Sequence, residues 1–302
     1  MAETAVRINS LRLHLWTLPR WFAAPFFAAS AILGALSAGG MTTYSWFGVI
    51  AVLMIMAGGH SFNSYLDYAW TGLDRGEPED RSAEKNYTAA QSLLAKGTIS
   101  LGEIVANALV WYLLGLALLI YLALQVGWPI LPLGVLGMLV TFWYSKAKFN
   151  WTHEIALGIG VGPLPSLLGM LASGSNPNWI NGILIGIPSA IIIAFAGLAL
   201  DEWPDAEANL KKGVKSLAYK VYENGFSLEL YISGWMTFLF LYQILLIVIG
   251  LFKPLTGLSF LVFPLILGSL VFLKKNLNRT AFYIIIFAAA YLILIILGQV
   301  YG

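Results

Sequence analysis

Long apolar runs recur nine times along this 302-residue chain, near 21–40, 44–66, 101–125, 129–145, 154–173, 179–200, 228–250, 256–273 and 280–300. Each has about the 17–25 residues that a helix needs to cross a bilayer. The pattern predicts an all-α membrane protein, a single domain over 1–302 with nine transmembrane helices. Turn signals separate several runs: Gly39-Gly40, Gly127-Trp128-Pro129 and Gly174-Ser175-Asn176-Pro177. Trp128 and Trp179 fall where interfacial aromatics belong. Before the first run, Arg7 and Arg12 alternate with Leu11, Leu13, Leu15 and Trp16, so 1–20 reads as an interfacial segment lying along the membrane.

Charge gives the runs a direction. Arg7, Arg12 and Arg20 precede the first run; Arg75, Arg81, Lys85 and Lys96 follow the second; Lys146 and Lys148 follow the fourth; Lys211, Lys212, Lys215 and Lys220 follow the sixth; Lys274, Lys275 and Arg279 follow the eighth. Every one falls on the same side if the chain crosses nine times, and Lys253 is the single basic residue opposite. The positive-inside rule then puts the N-terminus in the cytoplasm and the C-terminus outside a cell membrane. A basic start followed by an apolar run also fits a signal peptide, but removing the first span would destroy the asymmetry. Composition agrees: 59% of residues are hydrophobic and 11% charged, against about 25% charged in soluble domains. Cysteine is absent, which excludes disulfides, thiolate metal sites and a cysteine nucleophile.

The acidic residues collect on that same side, in two clusters. The second run ends in Asn63-Ser-Tyr-Leu-Asp67, followed by Asp74. Asn63 and Asp67 are four apart and share a helix face. The sixth run ends in Asp201-Glu-Trp-Pro-Asp205-Ala-Glu-Ala-Asn209, with Lys211, Lys212 and Lys215 close behind. The two long loops that carry these clusters, 67–100 and 203–227, are expected to cap the bundle. Their placement four spans apart hints at an internal repeat. Hard cations take oxygen ligands, and carboxylates at a membrane surface beside lysines suit a magnesium diphosphate. An ordinary polar helix end is the plainer reading of either cluster alone.

Taken together, the two clusters and nine spans resemble the UbiA superfamily of intramembrane prenyltransferases. The stretch Glu202-Trp-Pro-Asp205-Ala-Glu-Ala-Asn209, with Gly213, Lys215, Ser216 and Leu217, is most similar to the branch that prenylates 1,4-dihydroxy-2-naphthoate in menaquinone synthesis. So are Phe142-Trp-Tyr144-Ser-Lys146-Ala-Lys148 and Glu154 with Gly158, Gly160 and Gly162-Pro163-Leu164. Some positions depart from that branch, among them Ser92, which stands where a basic residue often occurs. Asn209 stands where the branch carries Asp, and Asp74 lies one residue further from Asp67.

The resemblance implies Mg²⁺-dependent transfer of an isoprenyl group from its diphosphate to an aromatic acceptor. It implies Asn63, Asp67, Asp74, Asp201 and Asp205 as magnesium ligands, with Asn209 a weaker candidate. Arg81, Lys146, Lys148 and Lys215 either contact diphosphate or only report the positive-inside rule. Tyr144 either bonds the diphosphate or belongs to the aromatic belt, and Glu154 is a candidate to act on the acceptor ring. His60 and His153 read as packing residues before bases. The Gly158–Gly162 spacing reads as close helix packing. The expected partners are isoprenyl diphosphate, an aromatic acceptor and the bilayer, with no nucleic acid and no obligate protein partner. Other acceptors (hydroxybenzoate, homogentisate, a porphyrin or chlorin, glycerol phosphate) stay open. So do a secondary transporter with paired ion sites and a non-catalytic isoprenoid-binding relative.

Overall fold

In the computed structural model, the described residues are 11–73, 99–174, 178–203, 206–272 and 277–302. Among them every regular element is helical, and nine helices are long and apolar enough to cross a membrane. They are α1 Leu13–Ser37, α2 Thr43–Trp70, α3 Leu101–Val126, α4 Ile130–Ala147, α5 His153–Ala172, α6 Trp179–Glu202, α7 Leu228–Val248, α8 Pro254–Phe272 and α9 Leu277–Tyr301. Two short helices, Ala206–Lys211 and Leu217–Glu223, lie between α6 and α7.

Local chemistry sets several boundaries. Thr42 and Ser100 form capping boxes at the starts of α2 and α3, each satisfying backbone N–H groups that a helix leaves unpaired. Gly127, with φ +121°, ends α3 in a conformation that favours glycine. The expected and observed spans agree to within a few residues, except at the first. There the chain is already helical from Leu13, and it breaks at Arg20, a non-glycine residue with φ +53°.

α1, α2, α5, α6 and α9 are the more buried helices and make up the inner layer, whereas α3, α4, α7 and α8 expose more of their surface. The outer faces are unusually apolar. Leu113, Leu124, Val248, Leu261 and Val271 are each more than 60% exposed, an apolar surface of the kind that suits a lipid environment. Glycines let the inner helices touch. A Cβ on Gly162 would collide with the backbone of Gly186, and one on Gly169 with that of Ala31. Gly158 packs on Ala190 and Ala194, so the glycine spacing serves helix packing, as expected.

Prolines inside this layer cost carbonyl partners, and neighbours replace them. Pro165 has no N–H for the carbonyl of Val161, one turn back, and Ser30 Oγ donates to it at 2.8 Å. Pro188 likewise leaves the carbonyl of Leu184, which accepts from Tyr242 OH at 3.0 Å. Beyond Pro188 the helix widens to a π-helical stretch over Ile191–Gly197. A second such stretch, Leu66–Trp70, holds Asp67, where Thr71 N–H reaches back to the carbonyl of Leu66. Both acid-bearing helices therefore widen near their charged ends, a feature common at functional sites.

Candidate functional site

A cavity of about 390 Å³ opens among α1, α2, α4, α5, α6 and α9. Its polar end holds Arg20, His60, Asn63, Tyr144 and Asp201, while Val52, Ile55, Leu133 and Leu168 line the deeper wall. Val52 lies eleven residues before Asn63 on α2, and Leu133 eleven before Tyr144 on α4. At 1.5 Å of rise per residue, both helices give an apolar depth of about 16 Å. Phe22 of α1 and Ile285 of α9 also line it and are half exposed, so the cavity reaches the lipid face between those two helices.

Asp67 anchors the polar end from beneath its surface, with 2% of its area exposed. One carboxylate oxygen, Oδ2, accepts from Asn63 Nδ2 at 2.8 Å and from Lys148 Nζ at 2.7 Å. Asn63 is held in turn by Ser145 Oγ, which donates to its Oδ1 at 3.0 Å. The other oxygen, Asp67 Oδ1, is buried and has no hydrogen-bond partner among the described residues. Leaving a carboxylate oxygen so buried is costly, and such costs concentrate where a ligand supplies the missing partner. From α6, Asp201 faces the same space. Tyr144, on α4, lies within electrostatic reach of Asp67, Asp201, Glu202 and Arg20 together, so the two acidic helices meet around one tyrosine.

A family profile and several solved folds match the chain. The profile of the UbiA prenyltransferase family matches residues 22–287. The chain belongs to the UbiA prenyltransferase family. Among solved structures, a UbiA homolog from Aeropyrum pernix K1 is 19% identical with a TM-score of 0.68, covering 94% of this chain and 98% of that one. A digeranylgeranylglyceryl phosphate synthase is 17% identical with a TM-score of 0.62 over 97% and 98% of the two chains. A UbiA homolog from Archaeoglobus fulgidus, bound to DMAPP and Mg²⁺, is 15% identical with a TM-score of 0.56 over 94% and 98%. At such identities the likeness is one of fold. A search of curated proteins finds no significant match.

Within this UbiA fold, Asn63, Asp67, Tyr144, Lys148 and Asp201 come together at the polar end. Asp74, Arg81 and Asp205 lie outside the described residues. Lys146 turns away to the ring of Trp70, 4.1 Å from its centroid, a cation–π contact. Lys215 is exposed and tied through its backbone, its N–H donating to the carbonyl of Lys148 at 2.6 Å. Asn209 Nδ2 donates to Tyr219 OH at 2.7 Å. Glu154 is buried outside the cavity lining, and its Oε1 accepts from Leu217 N–H at 2.6 Å.

Sequence reading missed one of the cavity's polar groups and took another only as a packing residue. Arg20 counted only as a positive-inside charge, yet the left-handed break turns it into the cavity, with Nη2 3.4 Å from Ser64 Oγ. His60 lines the cavity about one turn below Asn63, its ring edge-on to Phe27 and its Nε2 without a partner among the described residues. His60 and Asn63 share a face by spacing, a signal present in the sequence; the Arg20 break has none.

Among the described residues, no three His, Asp or Glu side chains converge as a self-contained metal site. Magnesium needs none: it is commonly held by one or two carboxylates plus substrate phosphates. The hard oxygens of Asp67, one of them without a partner among the described residues, and Asp201 on the facing helix suit that donor set.

Proposed function

We propose that this protein transfers an isoprenyl group from an isoprenyl diphosphate to an aromatic acceptor, and that the acceptor is a quinone precursor such as 1,4-dihydroxy-2-naphthoate. The observation that carries the reading is the cavity itself: acids and bases at one end and an apolar pocket about 16 Å deep behind them. Such a shape accepts a molecule with a highly charged head and a hydrocarbon tail. Family membership supports it, as do the DMAPP and Mg²⁺ bound to the A. fulgidus relative.

In this reading the diphosphate lies at the polar end, with Asp67 and Asp201 as the magnesium ligands and Asp74 and Asp205 as further candidates. When bound, the metal supplies charge that stabilises the leaving diphosphate. Lys148 and Arg20 offset the remaining negative charge and hold the phosphate oxygens in place. Asn63 and Ser145 fix the Asp67 carboxylate for that task. The tail runs down past Gly137 toward Leu133 and Val52, away from water. Breaking the allylic C–O bond leaves a carbocation whose charge the aromatic faces of Phe22, Phe26 and Tyr144 favour. The cation alkylates a ring carbon of the acceptor, and that carbon loses its proton. Exclusion of water from the apolar wall protects the cation from hydrolysis. The charged end of the bundle faces the cytoplasm, by the asymmetry of Lys and Arg.

The test is purified full-length protein in detergent with farnesyl or geranylgeranyl diphosphate, dihydroxynaphthoate and Mg²⁺, following both diphosphate and prenylated product. Magnesium-dependent product is the expected result. Diphosphate release without product would keep the donor site and discard the acceptor. No release with any donor would sink the enzyme reading.

A further inference from the structure

His153 and Glu154 begin α5 at the charged end, and neither lines the cavity. Both are buried, with 0% and 2% of their surface exposed. Ionisable groups are rarely so buried unless something engages them. What engages these two is the end of α6 and the segment that follows it. Glu154 Oε1 accepts the Leu217 N–H at 2.6 Å, at the first residue of the helix Leu217–Glu223, where backbone donors have no partner within the helix. His153 Nε2 donates to Glu202 Oε1 at 2.9 Å, and its Nδ1 lies 3.4 Å from Glu154 Oε2. The imidazole thus bridges the first residues of α5 to the last residue of α6.

Two more bonds close the frame. Tyr219 OH donates to the backbone carbonyl of Glu202 at 3.2 Å while accepting from Asn209. Lys215 N–H donates to the carbonyl of Lys148 at 2.6 Å. The anchor points are telling: Glu202 adjoins Asp201, and Lys148 is the residue that pairs with Asp67.

We propose that Glu154, His153 and Glu202 are positioning residues, a buried latch that holds segment 206–223 against the ends of α4, α5 and α6 and so sets Lys148 and Asp201 at the cavity mouth. The latch acts on donor binding through those two residues and touches no reacting atom. Its effect on turnover rests on the proposed donor site; its effect on segment 206–223 does not.

Two measurements on the full chain in detergent separate these parts. The first is amide hydrogen exchange across 206–223 with no substrate present. The second is the KM for donor diphosphate and kcat, each measured for Glu154→Ala, Glu154→Gln and Leu217→Pro. Glu154→Ala should speed exchange in the segment and raise KM about tenfold, the scale of one lost hydrogen bond to a charged group, with kcat nearly unchanged. Glu154→Gln keeps an oxygen facing Leu217 and should restore both. Leu217→Pro deletes the N–H and otherwise changes only a partly exposed side chain, at a first-turn position that tolerates proline, and should reproduce Glu154→Ala without disturbing α5. It also keeps the idea testable if Glu154→Ala does not fold. Wild-type exchange in both Glu154→Ala and Leu217→Pro would overturn the latch. So would a fall in kcat for Glu154→Gln at unchanged KM, which would make Glu154 an acid–base group. Faster exchange in a protein that turns over no donor would keep the latch and discard the donor site.

Discussion

Lys148 Nζ lies 2.7 Å from Asp67 Oδ2, although 81 residues separate them in the chain. The lysine follows α4 and the aspartate sits in the widened end of α2, so the pair ties two helices together at the cavity mouth. It also balances a carboxylate that water scarcely reaches. One ammonium thus serves the fold before any substrate arrives and, in the proposed function, the diphosphate afterwards.

Lys148→Met separates these duties. It leaves the Asp67 carboxylate buried without its cation, at a cost of about 3 kcal/mol or more. A lower melting temperature in detergent and a sharp fall in kcat/KM for the donor are expected. A stable variant with full activity would show that Lys148 does neither.

Asp67→Asn and Asp201→Asn keep the shape of the side chain and lose its charge. Each is expected to lower diphosphate release by at least about a hundredfold, the scale of losing one electrostatic contact to a developing anion. Chelating Mg²⁺ should abolish release in the wild type, with recovery on adding it back. Titrating Mg²⁺ against each variant is the check: a higher half-saturation concentration marks a ligand, and an unchanged one means the residue does not hold the metal.

Gly137 tests the course of the tail. A Cβ there meets only Ile55 Cγ2, at 3.6 Å, so the rest of a Leu side chain would enter the cavity about 10 Å from Tyr144. Gly137→Leu should therefore penalise geranylgeranyl more than geranyl diphosphate, by about tenfold in the ratio of kcat/KM values. An unchanged ratio would mean that the tail leaves by the opening between α1 and α9.

Gly162→Val examines the fold alone. Its side chain would meet the backbone of Gly186, forcing α5 and α6 apart at a cost of about 1–3 kcal/mol. Thermal unfolding in detergent should show the loss, whereas Gly257→Ala, where an added Cβ meets nothing, should change little.

The nine spans, the gathering of charge at one end and the acids at the ends of α2 and α6 were all legible along the chain. They follow from requirements that apply residue by residue. A span must be apolar over the thickness of hydrocarbon, and a charge inside it is costly enough to be rare and informative. The Asn63–Asp67 pairing was legible too, because four residues make about one helical turn. The different fates of neighbouring lysines were not: Lys146 stacks on Trp70 while Lys148 pairs with Asp67, and both look alike as basic residues after an apolar run. Glu154 is the clearest case. Its motif pointed to the acceptor, and its geometry ties it to Leu217, 63 residues away.

From its sequence alone, then, this protein is a nine-span membrane bundle with two acidic helix ends on one side, because hydrophobic length and the cost of buried charge act locally. Only the tertiary structure decided which polar groups share the cavity. A left-handed break carries Arg20 inward and His60 lines the same space, while outside it His153 joins the start of α5 to Glu202 at the end of α6 and Glu154 holds the Leu217 N–H beyond. Those relations join residues 44 to 81 positions apart in the chain. Helix packing brings them within reach, and no local pattern of residues encodes it.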